Sequence, residues 1–373
     1  MRVEPTKRAI LDDGRHRTSV RVTFDDGTRS RLWFTTSADI PFVKINVADI
    51  WLPPMLIVAM RRGETLDLVE PISQRAESLE RIQDVLTTWY PNRMQRVAIS
   101  APPPQRFSSL RRLGRNRGRG VGSMFSGGVD SFHTLTKNRD RIDALLYGFG
   151  IDVPVRKTDA VERVRTLLAH VAAESGKQLL VADTNIRKFL KHEALWSRES
   201  HGAALASLAT VFSTVIDRVL IPSTHTFAVS RPWGSHPLLD EHWSTQNLNV
   251  THDGAEASRV QKIRAISDID IAQRNLRVCY KQFTSLNCCR CPKCLRTMAT
   301  LTALGRLDQF TAFHEPLDLD LLRSLEVGPG NSLIQVQWLH EHFVGTEHDH
   351  LAEVTGAMLQ RHHERQTIAA AAD

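Results

Sequence analysis

Between Val121 and Leu135 the chain runs from an apolar segment through a glycine-rich turn into a second apolar start, and few local structures accept that order. Val121-Gly122-Ser123-Met124-Phe125 has the short, bounded form of a buried strand. Ser126-Gly127-Gly128-Val129-Asp130-Ser131 makes the turn, and Phe132-His133-Thr134-Leu135 opens a helix. A strand, a glycine turn and a helix start make a cradle for phosphate. Backbone N–H groups point into the loop, and the helix N-terminus adds roughly half a positive charge. Gly127 and Gly128 let the backbone turn sharply and approach a ligand closely. Ser126 and Ser131 can donate hydroxyls to phosphate oxygens, and Asp130 can hold a hydrated Mg²⁺. No Gly-Lys-Ser/Thr comes after the glycines, so the loop is not a Walker A loop. The plainer alternative is a serine-glycine turn that caps an ordinary helix.

Beyond the loop, strand and helix patterns alternate. Residues 144–149, 179–182 and 219–222 read as strands; residues 159–175 and 202–216 read as helices. Repeated β-α units predict an α/β domain over 120–310, with a parallel sheet covered by helices on both faces. Ligands in such sheets bind beyond the carboxyl ends of strands, where the serine-glycine loop lies. Thr184-Asn185, Ser223-Thr224-His225 and the loop from Arg231 to Thr245 are polar enough to face a ligand or to serve as caps and surface loops.

The front of the chain differs. Val20–Phe24, the turn at Asp25-Asp26-Gly27 and Arg31–Phe34 predict a hairpin, and Glu77–Trp89 carries apolar residues at helical spacing. Residues 1–105 read as a small α+β domain without a chemical motif. Residues 106–119 hold six arginines among glycines and serines, a basic linker able to meet phosphate or simply to be solvated. Residues 311–373 read as a helical extension whose histidines sit on solvated faces. A net charge of +7 suits ATP or RNA as partner without choosing between them. No apolar run is long enough for a membrane span, which makes the cytoplasm the expectation.

All five cysteines fall between Cys279 and Cys294. Cys279, Cys288, Cys291 and Cys294 are spaced nine, three and three, and four thiolates suit a closed, structural Zn²⁺ site. Cys289 is the thiol left over. A redox pair and an iron–sulfur cluster are the competing readings.

The Ser126–Ser131 segment resembles the SGGxDS signature of the PP-loop ATP pyrophosphatases, with all its fixed positions present. Taken with the cysteine spacing, with Leu276-Arg277-Val278-Cys279-Tyr280 and with Cys294-Leu295-Arg296, it resembles the 7-cyano-7-deazaguanine synthases of the queuosine pathway. The likeness runs from about Val121 to Leu307, and the front and rear segments lie outside it. It implies an adenine-nucleotide-hydrolase-like fold, cleavage of ATP between the α and β phosphates, and ATP, Mg²⁺ and Zn²⁺ as cofactors. Asp130 and Ser131 would be catalytic, and Ser126, Gly127, Gly128, Val129, Asp130 and Ser131 would bind the nucleotide. Arg296 is a further candidate contact beside the metal.

The reading that results is an AMP- and pyrophosphate-forming carbon–nitrogen ligase. It would activate a carboxylate or amide, such as a small carboxylated 7-deazapurine, for an amine. A protein or RNA acceptor and a homo-oligomer stay open. The alternatives are a tRNA-modifying enzyme such as a thiolase, and a non-catalytic nucleotide sensor.

Overall fold

The computed structural model describes residues 1–41, 46–104, 119–279, 285–328 and 330–372. Contacts divide the chain into two units. The first is Met1–Phe125, Asn138–Ser223 and Pro232–Asp253; the second is Ser126–Lys137, Thr224–Arg231 and Gly254–Asp373.

The first unit is built on one sheet. Its strands are β1 (Arg2–Val3), β2 (Lys7–Ile10), β3 (His16–Thr23), β4 (Arg29–Thr36), β5 (Leu66–Leu68) and β6 (Ile99–Ser100). Then come β7 (Val121–Met124), β8 (Ala144–Phe149), β9 (Gln178–Thr184), β10 (Arg218–Pro222) and β11 (Asn249–Asp253). Their order across the sheet is β11-β10-β7-β8-β9-β4-β3-β1-β5-β6, with β2 paired to β3. From β11 to β9 all neighbours are parallel, while β9–β4, β4–β3, β3–β2 and β3–β1 are antiparallel. The sheet is therefore mixed and mostly parallel. Every residue of β8 is buried, the near-continuous apolar pattern of a strand covered on both sides.

In chain order the first helices are α1 (Leu52–Arg62), α2 (Ala76–Trp89), α3 (Val129–Lys137), α4 (Thr158–Glu174), α5 (Ile186–Leu190), α6 (His201–Val211) and α7 (Pro237–Asp240). After them come α8 (Arg259–Ile266), α9 (Asp270–Asn275), α10 (Pro292–Ala303), α11 (Leu319–Ser324), α12 (Asn331–Phe343) and α13 (Asp349–Ala372). In α1, residues 52–60 are all buried, so it is a core helix with no polar face. Pro53 and Pro54 stand at its start, where the missing N–H groups cost nothing, and Gly63 ends it at φ 69°. Sequence patterning gave no sign of it, because periodicity vanishes when every side is buried.

The division expected near residue 105 does not separate the sheet. Phe34, Thr35 and Thr36 of β4 pair antiparallel with Thr184, Asp183 and Ala182 of β9. The Thr184–Asn185 pair, expected to cap a helix or face a ligand, stitches this junction. Asn185 Oδ1 accepts from the Trp33 amide at 3.0 Å, its Nδ2 donates to Arg31 O at 2.8 Å, and Thr184 Oγ1 donates to Trp33 O at 2.8 Å. Of the basic linker only Arg119 is among the described residues; the rest of 106–119 lies outside them.

The second unit is helical. Leu295 and Ala299 of α10, Leu322 of α11, Val336, Leu339 and Phe343 of α12, and Leu351, Ala352, Val354 and Met358 of α13 form its own core. His340 and His362, expected on solvated faces, take part in this packing: their Nδ1 atoms meet the carbonyls of Ala352 and Val327 at 2.9 and 2.8 Å. Among the described residues no helix is long and apolar enough to cross a membrane.

Candidate functional site

The glycine turn comes after β7 in the chain and belongs by its contacts to the second unit. Gly127 has φ 76°, a left-handed backbone that a side chain would strain. Its carbonyl accepts the Arg277 amide at 2.7 Å, and Arg277 Nη1 reaches Ser126 O at 3.3 Å. Gly128 O then accepts the Phe132 amide at 2.9 Å, which starts α3 at Val129. The first amides of a helix have no partner inside it, so this turn of α3 presents N–H groups to an anion.

Ser131 is buried and its hydroxyl donates to Gly128 O at 2.9 Å, so here it closes the turn. Val129 is buried in the unit. Asp130 is the loop's half-buried acid, and it is surrounded by cations. Its Oδ2 is 3.1 Å from Arg259 Nη1 and its Oδ1 is 3.4 Å from Lys262 Nζ. Burial opposes its ionisation, but the nearby Arg259, Lys262 and Lys293 charges prevail and hold the carboxyl below its ordinary value. Lys262 is 1% exposed. Its burial pulls the ammonium below the ordinary lysine value, with Asp130 acting in the opposite direction.

Arg259 and Lys262 sit at i and i+3 on α8, so they share one face. Ser258 begins that helix with a capping box: its hydroxyl accepts the Gln261 amide at 3.2 Å and Gln261 Oε1 accepts the Ser258 amide at 2.8 Å. The Ser258-x-x-Gln261 spacing is the sequence signal for this helix start. No local pattern marks Arg277 or Lys293 for a place near the loop.

The Asp130 carboxylate, expected to hold a hydrated Mg²⁺, has a cation against each oxygen in this structure. The donor set of loop amides, Arg259, Lys262 and Arg277 fits a polyphosphate anion better.

The cysteines form the second feature of this unit. The sulfurs of Cys279, Cys288, Cys291 and Cys294 all lie within 4.8 Å of one another, and Cys288 and Cys291 stand 3.9 and 3.5 Å from Cys294. Sulfurs at about 2.3 Å from a tetrahedral Zn²⁺ are about 3.8 Å apart, so the cluster fits that ion. Hydrogen bonding with Cys294 draws the Cys291 thiol below its ordinary value, while Cys288 and Cys294 are raised. Cys289 stays out of the cluster, at φ 56° with its sulfur 3.9 Å from His314 Nδ1. Asn287 holds the first ligand in place. Its Oδ1 accepts the amides of Val278 and Cys279, and its Nδ2 donates to the carbonyls of Leu276 and Ala312. The structure places Arg296 on α10, with its carbonyl accepting from Gln335 Nε2 at 3.3 Å and from Thr300 Oγ1 at 2.8 Å.

No family model, curated protein or solved structure matches the chain. Its chemistry must be read from these two features alone.

The loop from Arg231 to Thr245, expected to meet substrate, is largely interior in its first-unit part. Ser235, His236, Asp240 and Trp243 are buried. Asp240 Oδ2 accepts from Ser235 Oγ and pairs with His252 Nδ1, each at 2.7 Å, and His236 Nδ1 caps α7 by accepting the Leu238 amide. Its buried polar residues bond within the loop and to His252 and Val250 of β11.

Proposed function

We propose that the chain is an ATP-dependent ligase that activates a carboxylate by adenylation. The observation that carries this reading is the cationic ring at the glycine loop. Arg259, Lys262 and Lys293 gather round Asp130, while Arg277 fixes the turn that precedes α3. Loop amides and side-chain cations together would take the phosphates of ATP, and the magnesium would enter on those phosphates. Asp130 then acts as a positioning residue that keeps the two α8 cations aimed at the loop.

In the first step a carboxylate oxygen attacks the α-phosphorus. The bond to the bridging oxygen breaks, and pyrophosphate leaves with its electron pair. Donors fixed before the reaction meet the charge that develops on the leaving group, the largest expected source of acceleration. In the second step an amine attacks the acyl carbon, loses a proton and displaces AMP, leaving an amide. The four-cysteine centre would hold Zn²⁺ without an open coordination position, as scaffold for the loop's neighbours. Resemblance to the deazaguanine synthases supports a carboxylated 7-deazapurine as the acid.

Carboxylate-dependent exchange of pyrophosphate into ATP tests the reading. Lys262→Met is expected to lower exchange by about 100-fold or more. Exchange at the normal rate in that variant, or none with any carboxylate in the native protein, would refute it.

A further inference from the structure

Strands β3 and β4 carry their charge on one face. Their register pairs Arg17 with Thr35, Ser19 with Trp33, Arg21 with Arg31 and Thr23 with Arg29, so these residues share one side of the sheet. Lys7 of β2, opposite Ser19, joins them. The alternate residues Val20, Val22, Leu32 and Phe34 are buried in the core of the first unit. A one-residue slip would expose that core, so the register holds Lys7, Arg17, Arg21, Arg29 and Arg31 on the outer side. All of these but Arg17 are exposed.

The arrangement works against stability. Like charges directly opposite one another repel, and Arg21 faces Arg31 across the strand pair. Among the described residues the only carboxylate paired with these cations is that of Glu4, whose Oε2 is 3.4 Å from Arg21 Nη1. Lys7 and Arg29 make no hydrogen bond or ion pair among the described residues. Asp183, on the same side beyond Thr35, is taken up by Arg15 at 2.6 Å and Arg165 at 4.0 Å. A face that keeps unbalanced charge in a fixed register favours an anion with many charges.

Two of the arginines are fixed in advance. Arg31 Nη2 donates to Ser19 Oγ at 2.9 Å, and Arg17 Nε donates to Thr35 Oγ1 at 3.0 Å. Each keeps part of its guanidinium fork for a phosphate. Trp33 stands between Arg31 and Thr35 on this face, partly exposed, with Arg17 Cζ 4.6 Å from its ring centre. An aromatic ring set among arginines matches a nucleic-acid strand, which alternates phosphates with flat bases. Because β3 and β4 are flanked by β1, β2 and β9, they cannot enter a duplex groove as a separate ribbon. A single strand laid on the face can reach both the ring and the cations.

We propose that this sheet face binds single-stranded nucleic acid, with phosphates on Lys7, Arg17, Arg21, Arg29 and Arg31 and a base against Trp33. The assignment is independent of the ligase reading, since all of these residues belong to the first unit and none to the glycine-loop site.

Fluorescence anisotropy of the full chain with a labelled oligo-uridine of about 12 nucleotides tests it. The native chain is expected to bind at low salt, with log affinity falling against log salt by about 0.7 for each phosphate contact. Replacing Arg21 and Arg29 together (Arg21→Ala, Arg29→Ala) should reduce that slope by about 1.4 and weaken binding about tenfold or more. Trp33→Leu should weaken binding about fivefold or more through lost stacking, with the slope unchanged. Both arginines are exposed, so their truncation spares the core, and unfolding midpoints check every variant. Residues 106–118 stay unchanged throughout, so binding by their arginines would persist. No binding by the native chain at low salt overturns the proposal, as does binding that keeps its affinity and slope in the double arginine variant. Equal affinity for polyglutamate, indifferent to Trp33→Leu, would make the face a general polyanion surface and overturns it too.

Discussion

Asp130→Ala removes a carboxylate that pairs with both Arg259 and Lys262. Sequence alone places Asp130 as an exposed loop acid whose loss spares the fold; the structure gives the opposite expectation. The Lys262 side chain is 2% exposed and cannot turn to water without disrupting α8. Deleting one member of a buried ion pair commonly costs about 3–5 kcal/mol, because the remaining charge loses its closest compensation. Asp130 itself keeps 22% of its side chain in solvent, which screens the pair, so about 2–3 kcal/mol is the expected loss. Urea unfolding of Asp130→Ala, Lys262→Met and the double variant measures it. The double variant should be more stable than the sum of the single losses predicts, with a coupling of about 1–2 kcal/mol. The sign with pH comes from the carboxyl lying below its ordinary 3.8 when folded: the contribution is fully present above that value and lost as pH falls below it. AMP formation should fall with the cations' alignment. A variant as stable as the native chain, with coupling under about 0.5 kcal/mol, would refute the ion-pair argument.

Serine at Cys279, Cys288, Cys291 or Cys294 should cost both metal content and thermal stability, whereas Cys289→Ser should cost neither; elemental analysis is expected to find about one zinc per native chain. Asn287→Ala breaks four hydrogen bonds in the interior and should destabilise by about 2–4 kcal/mol, weakening zinc binding about 10- to 100-fold in competition with a chelator. Asp49 is pushed up to about 7 by burial, despite hydrogen bonds from the Ser73 amide and hydroxyl. Its protonated form is the one the fold prefers, so stability should decline as pH rises from about 4 toward 7, and Asp49→Asn should flatten unfolding midpoints across that range.

The parallel half of the sheet was legible because its strands are short apolar runs bounded by turns, and β7, β8, β9 and β10 lie close to where patterning puts them. β11 was not, since Asn249-Val250-Thr251-His252-Asp253 carries one apolar residue and owes its place to pairing with β10. The continuity of the sheet into residues 1–36 depends on the β4–β9 pairing, a contact across about 150 residues that no local pattern encodes. At the site, spacing picked the four clustered cysteines and excluded Cys289, because ligand geometry is written into short separations. The cations that act on Asp130 come from α8 and from Lys293 in the cysteine cluster, more than a hundred residues downstream. Only folding brings them there.

That placement links the two features of the second unit. Arg277 lies two residues before Cys279, and it is Arg277 whose amide and guanidinium hold the carbonyls of Gly127 and Ser126. Lys293 lies between Cys291 and Cys294, and its charge is one of those that hold Asp130 ionised. Asn287 sets the backbone of Val278 and Cys279, immediately after Arg277. A metal drawn into the four sulfurs would therefore fix the path of the segment whose Arg277 bonds the glycine loop and of the one whose Lys293 charge acts on Asp130. Four thiolates on one zinc would keep that centre out of any chemistry, while Arg277 and Lys293 stand in the sequence beside its ligands. The four-cysteine cluster would thus support the loop through Arg277.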